Sequence, residues 1–220
     1  MKGDFEAVPV SVRKVLGQLV EQGIFQQFYL AGGTGLAFLQ AHRRSVDLDF
    51  FSRVNRLDAD GRRKLLAQLQ TPPGWKTIAA GEGTVHGIVG RVKVSFFWYP
   101  QRLVRPVLRK GPLRIASRED IGLMKIGAII GRGSRKDFVD LYEICRRIPL
   151  SRLLSLGHRK FSDSRDFTLQ ALKALCFFED AEKEPPVVAV RPFSWDRVKE
   201  FFVGEVKGLS RRYLLGRHAR

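Results

Sequence analysis

The sequence predicts an α+β fold, a small mixed sheet followed by a helical part. Three observations point there. Val92, Val94, Phe96 and Trp98 recur every second residue, glycines punctuate the first half, and beyond residue 117 the apolar residues recur at helical spacing. The change of period sets a soft boundary near residue 116, giving an α/β core over 1–115 and a helical C-terminal domain over 116–220. With 220 residues and 44% hydrophobic content, the chain can bury the core of one generous domain, or of one plus a small appendage.

The elements follow in order. Val12, Val15, Leu16, Leu19 and Val20 make residues 10–22 an amphipathic helix, stopped by Gly23. Phe28, Tyr29 and Leu30 start a strand. Gly32 and Gly33 break it with a turn, and Thr34 is placed to cap a helix holding Leu36, Ala37, Phe38 and Leu39. Val46 to Phe50 is the next strand, with Asp47 and Asp49 on one face and Val46, Leu48 and Phe50 on the other. Residues 60–70 form a helix with Leu65, Leu66 and Leu69 inward, ended by Thr71-Pro72-Pro73-Gly74. Trp75 to Ala80 is a strand and Gly81-Glu82-Gly83 a hairpin turn. Gly87 and Gly90 mark a bulge or turn, and Lys93, Ser95, Phe97 and Tyr99 share the face opposite Val92, Val94, Phe96 and Trp98.

In the second half, Ser117 and Ser134 each start a helix with an acid three residues later, Asp120 and Asp137, in capping-box position. Gly131-Arg132-Gly133 separates the two. Residues 165–179 form a third helix around Leu169, Leu172, Leu175 and Cys176. Ser194 caps a last helix bearing Trp195, Val198, Phe201 and Phe202, and the basic tail with Arg211, Arg212, Arg217 and Arg220 frays.

The chemistry concentrates in residues 28–51. Two carboxylates side by side on an apolar strand repel one another and lose hydration, and a divalent cation is the simplest compensation. Backbone amides at a helix start attract phosphate. A hard cation on carboxylates commonly completes its shell with substrate phosphates, so a glycine turn followed by Asp47-x-Asp49 forms a triphosphate cradle. Either feature alone is more often a solvated acid pair or an ordinary turn; their order and spacing favour a site.

The charge is extreme: 39 Lys and Arg against 22 Asp and Glu give a net +17. A polyanionic partner is expected, most simply nucleic acid. The basic tract 91–118 holds Arg91, Lys93, Arg102, Arg105, Arg109, Lys110, Arg114 and Arg118 with no acid, and suits phosphate contacts. The four scattered histidines give no zinc spacing, and Cys145 and Cys176 sit in apolar helical contexts as reduced core residues. With no signal-like N-terminus and no bilayer-length apolar run, the expectation is a cytoplasmic protein with no membrane partner.

Gly32-Gly33-Thr34 and then His42-Arg43-x-Ser45-x-Asp47-x-Asp49-Phe50-Phe51 resemble the opening motif of DNA polymerase β-like nucleotidyltransferases, and among these the AbiEii/AbiGii abortive-infection toxin family. Glu119-Asp120-x-x-x-x-Lys125, and Arg132-x-x-x-x-Asp137-Phe138-x-Asp140-Leu141, resemble that family's later motif. The resemblance spans roughly residues 28–141 and implies the polymerase β-like fold. It implies Mg²⁺ (or Mn²⁺) on Asp47 and Asp49, and a nucleoside triphosphate held by Gly32, Gly33, Thr34, Arg43, Ser45 and Lys125. Asp47, Asp49, Lys125 and Asp137 become the catalytic residues, RNA such as tRNA the acceptor, and an antitoxin protein a possible partner. One departure stands out. The superfamily usually carries a third carboxylate on a neighbouring strand, and the matching segment Val92-Lys93-Val94-Ser95-Phe96-Phe97 has Ser95, a poor base and metal ligand. Glu82 or Asp137 then substitutes, or one metal suffices, or the chain is a degenerate nucleic-acid-binding relative. A transferase acting on a protein or small molecule is a third reading, which the charge disfavours.

Overall fold

The structure, a computed structural model, describes residues 7–70 and 74–218. Contacts divide the chain into two compact units, Met1–Ser117 and Arg118–Arg220. The fold is mixed, with a seven-stranded sheet in the first unit and helices throughout the second. Among the described residues no helix is long and apolar enough to cross a membrane.

In the first unit, helix α1 (Val10–Glu21) buries Val12, Val15, Leu16 and Leu19. Strand β1 (Tyr29–Leu30) leads into α2 (Gly32–Gln40), and β2 (Leu48–Ser52) returns antiparallel to β1. Helix α3 (Ala59–Leu69) is capped by Asp58, whose carboxylate accepts from the Gly61 N–H at 2.8 Å. The strands β3 (Trp75–Gly81), β4 (Thr84–Val89) and β5 (Val92–Trp98) form a meander, and β6 (Leu108–Lys110) and β7 (Leu113–Ile115) a short hairpin. The sheet order is β3-β4-β5-β2-β1-β7-β6, with β2–β5 and β1–β7 parallel and the other pairs antiparallel. One face packs on a core in which Phe50 and Phe96 stack at 5.1 Å and Phe28 meets Phe96 edge-on at 5.2 Å. The other face carries Asp49, Ser95 and His86.

In the second unit, α4 (Arg118–Arg132) and α5 (Arg135–Cys145) are followed by α6 (Leu150–Lys160), α7 (Phe167–Ala174), a short α8 (Glu179–Glu182) and the long α9 (Trp195–His218). Phe138 anchors this unit, with Phe178, Trp195 and Phe202 around it at centroid distances of 5.1, 6.0 and 5.7 Å.

Several expectations are corrected. Strand β2 begins at Leu48, and Val46 is exposed. The single helix expected over 165–179 is two shorter pieces, α7 and α8. Helix α6 was not anticipated. The bulge lies between Thr77 and Ala79, while Gly90 takes a turn at φ +61°. The last helix continues to His218, so Arg211 and Arg212 lie in helix. Cys176 is exposed rather than a core residue, and Cys145 keeps a little exposure while its thiol lies inward. The Pro72-Pro73 stop and Arg220 lie outside the described residues.

Candidate active site

The chain leaves β1 and turns at Gly32, whose φ of +62° suits glycine. The Asp49 carboxylate fills the space beside it: a Cβ built on Gly32 would lie 2.5 Å from Asp49 Oδ2. The Ala31 N–H donates to the Asp49 carbonyl at 3.0 Å, which ties the turn to β2. Helix α2 starts at this point, so its first-turn amides have no intrahelical partners. Acid and amide-bearing turn are therefore adjacent.

Thr34 is inside the helix and does not cap it; Ala31 occupies the cap position. The buried Thr34 hydroxyl instead donates to the Asp47 carbonyl and lies 2.9 Å from Ser45 Oγ. That bond takes the Asp47 carbonyl and so holds Asp47 ahead of the strand. At the far end of α2, Ala41 adopts a left-handed φ of +49°, reversing the chain. The reversal brings Arg43 and Ser45 back beneath the turn. A Cβ on Gly33 would fall 2.4 Å from Arg43 Nη2 and 2.9 Å from Ser45 Oγ, and Arg43 Nη1 donates to the Arg44 carbonyl at 3.0 Å. Arg43, Ser45 and Thr34 are buried; Asp47 and Asp49 are half-buried. The first unit thus gathers Gly32, Gly33, Thr34, Arg43, Ser45, Asp47 and Asp49.

Strand register adds a further row. Asp49 pairs with Ser95 across β2–β5, and Ser95 pairs with His86 across β5–β4. Paired residues share a face, so Asp49, Ser95 and His86 line up on the half-open side. His86 Nδ1 and Ser95 Oγ are 3.0 Å apart. The His86 ring rests edge-on against Phe97 at 5.4 Å. Glu82 is engaged elsewhere: it is exposed and accepts from Asn55 Nδ2 at 3.0 Å and Arg62 Nη1 at 3.1 Å. These contacts hold the Glu82 carboxylate against Asn55 and Arg62.

In the second unit, Lys125 is a buried cation and not a surface lysine. Its Nζ lies 2.7 Å from Asp137 Oδ1 and 2.6 Å from Asp140 Oδ2. Both carboxylates are fully buried, and Asp137 also accepts from Arg132 Nε at 3.1 Å. Ser134 donates to Glu184 at 2.8 Å, and no side-chain cap bond is made at the start of α5. Asp137 is thus an ion-pair residue rather than a helix cap. Asp140 stood in the later motif without a role of its own, although its i,i+3 spacing from Asp137 was a signal that the two carboxylates share a partner. Asp120 accepts from Lys160 at 2.9 Å, a second ion pair with both side chains at 0% exposure.

Among the described residues no group of three or more His, Cys, Asp or Glu forms a complete metal cage. The donor set at the turn still fits a hard divalent cation. It offers the Asp49 carboxylate beside helix-start amides, with Asp47 two residues earlier in the chain, and Mg²⁺ commonly uses one or two carboxylates plus substrate phosphates.

A family model described as the nucleotidyl transferase AbiEii toxin of type IV toxin–antitoxin systems matches residues 14–197. An uncharacterized protein of Aquifex aeolicus is 34% identical over 200 residues, covering 89% of this chain and 94% of that one. MenT4, a nucleotidyltransferase toxin of Mycobacterium tuberculosis, has a similar structure at 14% identity with TM-score 0.57, covering 88% of this chain and 82% of its own. The antibiotic-resistance factor ANT(2″)-Ia is similar at 13% identity with TM-score 0.54, covering 68% of this chain and 91% of its own.

Proposed function

Because the chain belongs to the AbiEii nucleotidyl transferase toxin family, we propose that it transfers a nucleoside monophosphate from a nucleoside triphosphate to a hydroxyl of an RNA, tRNA first among candidates. The observation that carries this is the Asp49 carboxylate seated against Gly32 at the start of α2. Asp47 and Asp49 hold the divalent cation, and the amides near Gly33 and Thr34 take the β- and γ-phosphates. Bound there, Mg²⁺ or Mn²⁺ supplies neutralisation of the charge that builds on the phosphates. Arg43 and Ser45 brace the turn from beneath. Lys125 serves through its charge, and Asp137 holds its ammonium. The exposed cations of the 91–118 tract take the acceptor's phosphates. The substrates place the reaction in the cytoplasm, and family membership makes an antitoxin protein the natural regulator.

The test is incubation with α-labelled nucleoside triphosphates and tRNA, a control protein, an aminoglycoside, or no acceptor. Label should enter tRNA and vanish with Asp47→Asn. Label on the small molecule alone would replace the RNA reading. One observation favours a second reading: the strand neighbour of Asp49 is a neutral Ser95. A degenerate relative would shift tRNA on a gel yet turn over no nucleotide.

A further inference from the structure

We propose that Ser95 and His86 together replace the third carboxylate, relaying the acceptor hydroxyl's proton. The proposal rests on the transferase reading above. Ser95 stands directly beside Asp49 in the β2–β5 register, and His86 stands beside Ser95 on β4. Neighbouring strands are separated by about 4.8 Å, so the three side chains form a short row on one face. A serine hydroxyl alone is a weak proton acceptor. A hydroxyl hydrogen-bonded to an imidazole can receive a proton as it passes its own to the ring, the pairing that activates hydroxyls elsewhere. The 3.0 Å contact from Ser95 Oγ to His86 Nδ1 suits that transfer when the ring carries its proton on Nε2 and Ser95 donates to Nδ1. Phe97, edge-on to the ring at 5.4 Å, fixes the imidazole plane. The alternative acid of the first unit, Glu82, is tied to Asn55 and Arg62.

The step balances without a further reagent. The acceptor oxygen forms its bond to the α-phosphorus, and the bond from that phosphorus to the bridging oxygen breaks. Pyrophosphate leaves with the electron pair. The acceptor's proton passes to Ser95 Oγ while Ser95's own proton moves to His86 Nδ1, and the imidazolium returns it to solvent. Ser95 touches the reacting hydroxyl, and His86 acts through Ser95.

The experiment measures steady-state label transfer by the full chain, with circular dichroism on every variant. Ser95→Ala and His86→Gln should each lower kcat about a hundredfold, the size expected for one general base, with KM for nucleotide and tRNA unchanged. The double variant should be no slower than either single one, because the pair acts as a unit. Ser95→Asp should restore kcat, and in that background His86→Gln should have no effect. A structural role for His86 would give no such rescue. Full turnover by folded His86→Gln, or continued dependence on His86 in the Ser95→Asp chain, overturns the relay while leaving the transferase reading intact. If wild type transfers no label from any nucleoside triphosphate to any acceptor, the transferase reading falls and the relay with it.

Discussion

Gly32 is the residue on which the proposed nucleotide cradle turns. Any side chain there meets two costs: φ is +62°, and a Cβ would stand 2.5 Å from Asp49 Oδ2. The backbone cost to an L-residue is about 1–2 kcal/mol, so the Gly32→Ala chain should fold with a modestly lowered Tm. The displaced carboxylate is the larger effect. Label transfer should fall about a hundredfold or more, as when a catalytic group is mispositioned by an ångström. Transfer equal to wild type would show that Asp49 is not needed in that place. Lys125 makes a different demand. Replacing it with Met leaves Asp137 and Asp140 buried without their shared cation. Urea denaturation should report a loss of about 3–5 kcal/mol, the usual cost of breaking a buried pair. Adding Asp137→Asn and Asp140→Asn should recover part of it. The two thiols differ as well: burial, with Glu205 nearby, pushes Cys145 up to about 12, while Cys176 is exposed. At pH 8 iodoacetamide should therefore modify Cys176 first, with Cys145 protected as the protonated thiol until the chain unfolds.

Among the elements, the helices of the second unit pack through glycine. A Cβ on Gly157 of α6 would fall 2.1 Å from the Phe167 ring of α7, and one on Gly122 of α4 would fall 3.1 Å from Leu153 of α6. Gly157→Ala should cost about 1–3 kcal/mol by overpacking, read as a lower Tm, whereas Gly204→Ala on α9, with open space around it, should not. These contacts explain what the sequence could and could not reveal. Strands β3 and β5 were legible, β5 because the sharing of a face by alternate residues is a local signal, and so was α4, whose apolar positions recur over fifteen residues. Helix α6 was not, although Leu150, Leu153 and Leu154 carry the spacing, because its eleven residues lie between a proline and a basic cluster. The start of β2 was misplaced because the Thr34 hydroxyl takes the Asp47 carbonyl, a bond between elements that no propensity encodes. The candidate site divides in the same way. The glycine turn and the two acids announce themselves within twenty residues. The His86–Ser95 contact and the double carboxylate on Lys125 depend on strand register and helix packing, which only coordinates supply.

For the molecule as a whole, the net charge of +17 matters most where its cations face water. Of the tract 91–118, Arg91, Lys93, Arg102, Arg105, Arg109 and Lys110 are exposed, whereas Arg114 turns inward to the carbonyls of Phe25 and Gln26 at 3.1 and 3.2 Å. If these exposed side chains meet RNA phosphates, binding must weaken with salt as counterions are released. The logarithm of affinity falls with the logarithm of salt by about 0.7 per phosphate neutralised on a single strand and about 0.9 on a duplex. Arg91 sits at the β4–β5 turn and Arg109 in the β6–β7 hairpin. Replacing both with Ala removes two contacts, so the slope measured by fluorescence anisotropy of labelled tRNA across a KCl series should become shallower by about 1.5. Lys14 and Arg152 are equally exposed but lie outside the tract. Their double Ala variant lowers the net charge by the same amount, so it separates a local footprint from a general positive field. An unchanged slope for Lys14 and Arg152, beside a shallower one for Arg91 and Arg109, places the RNA on the tract. Equal changes in the two would mean that the charge acts only at long range.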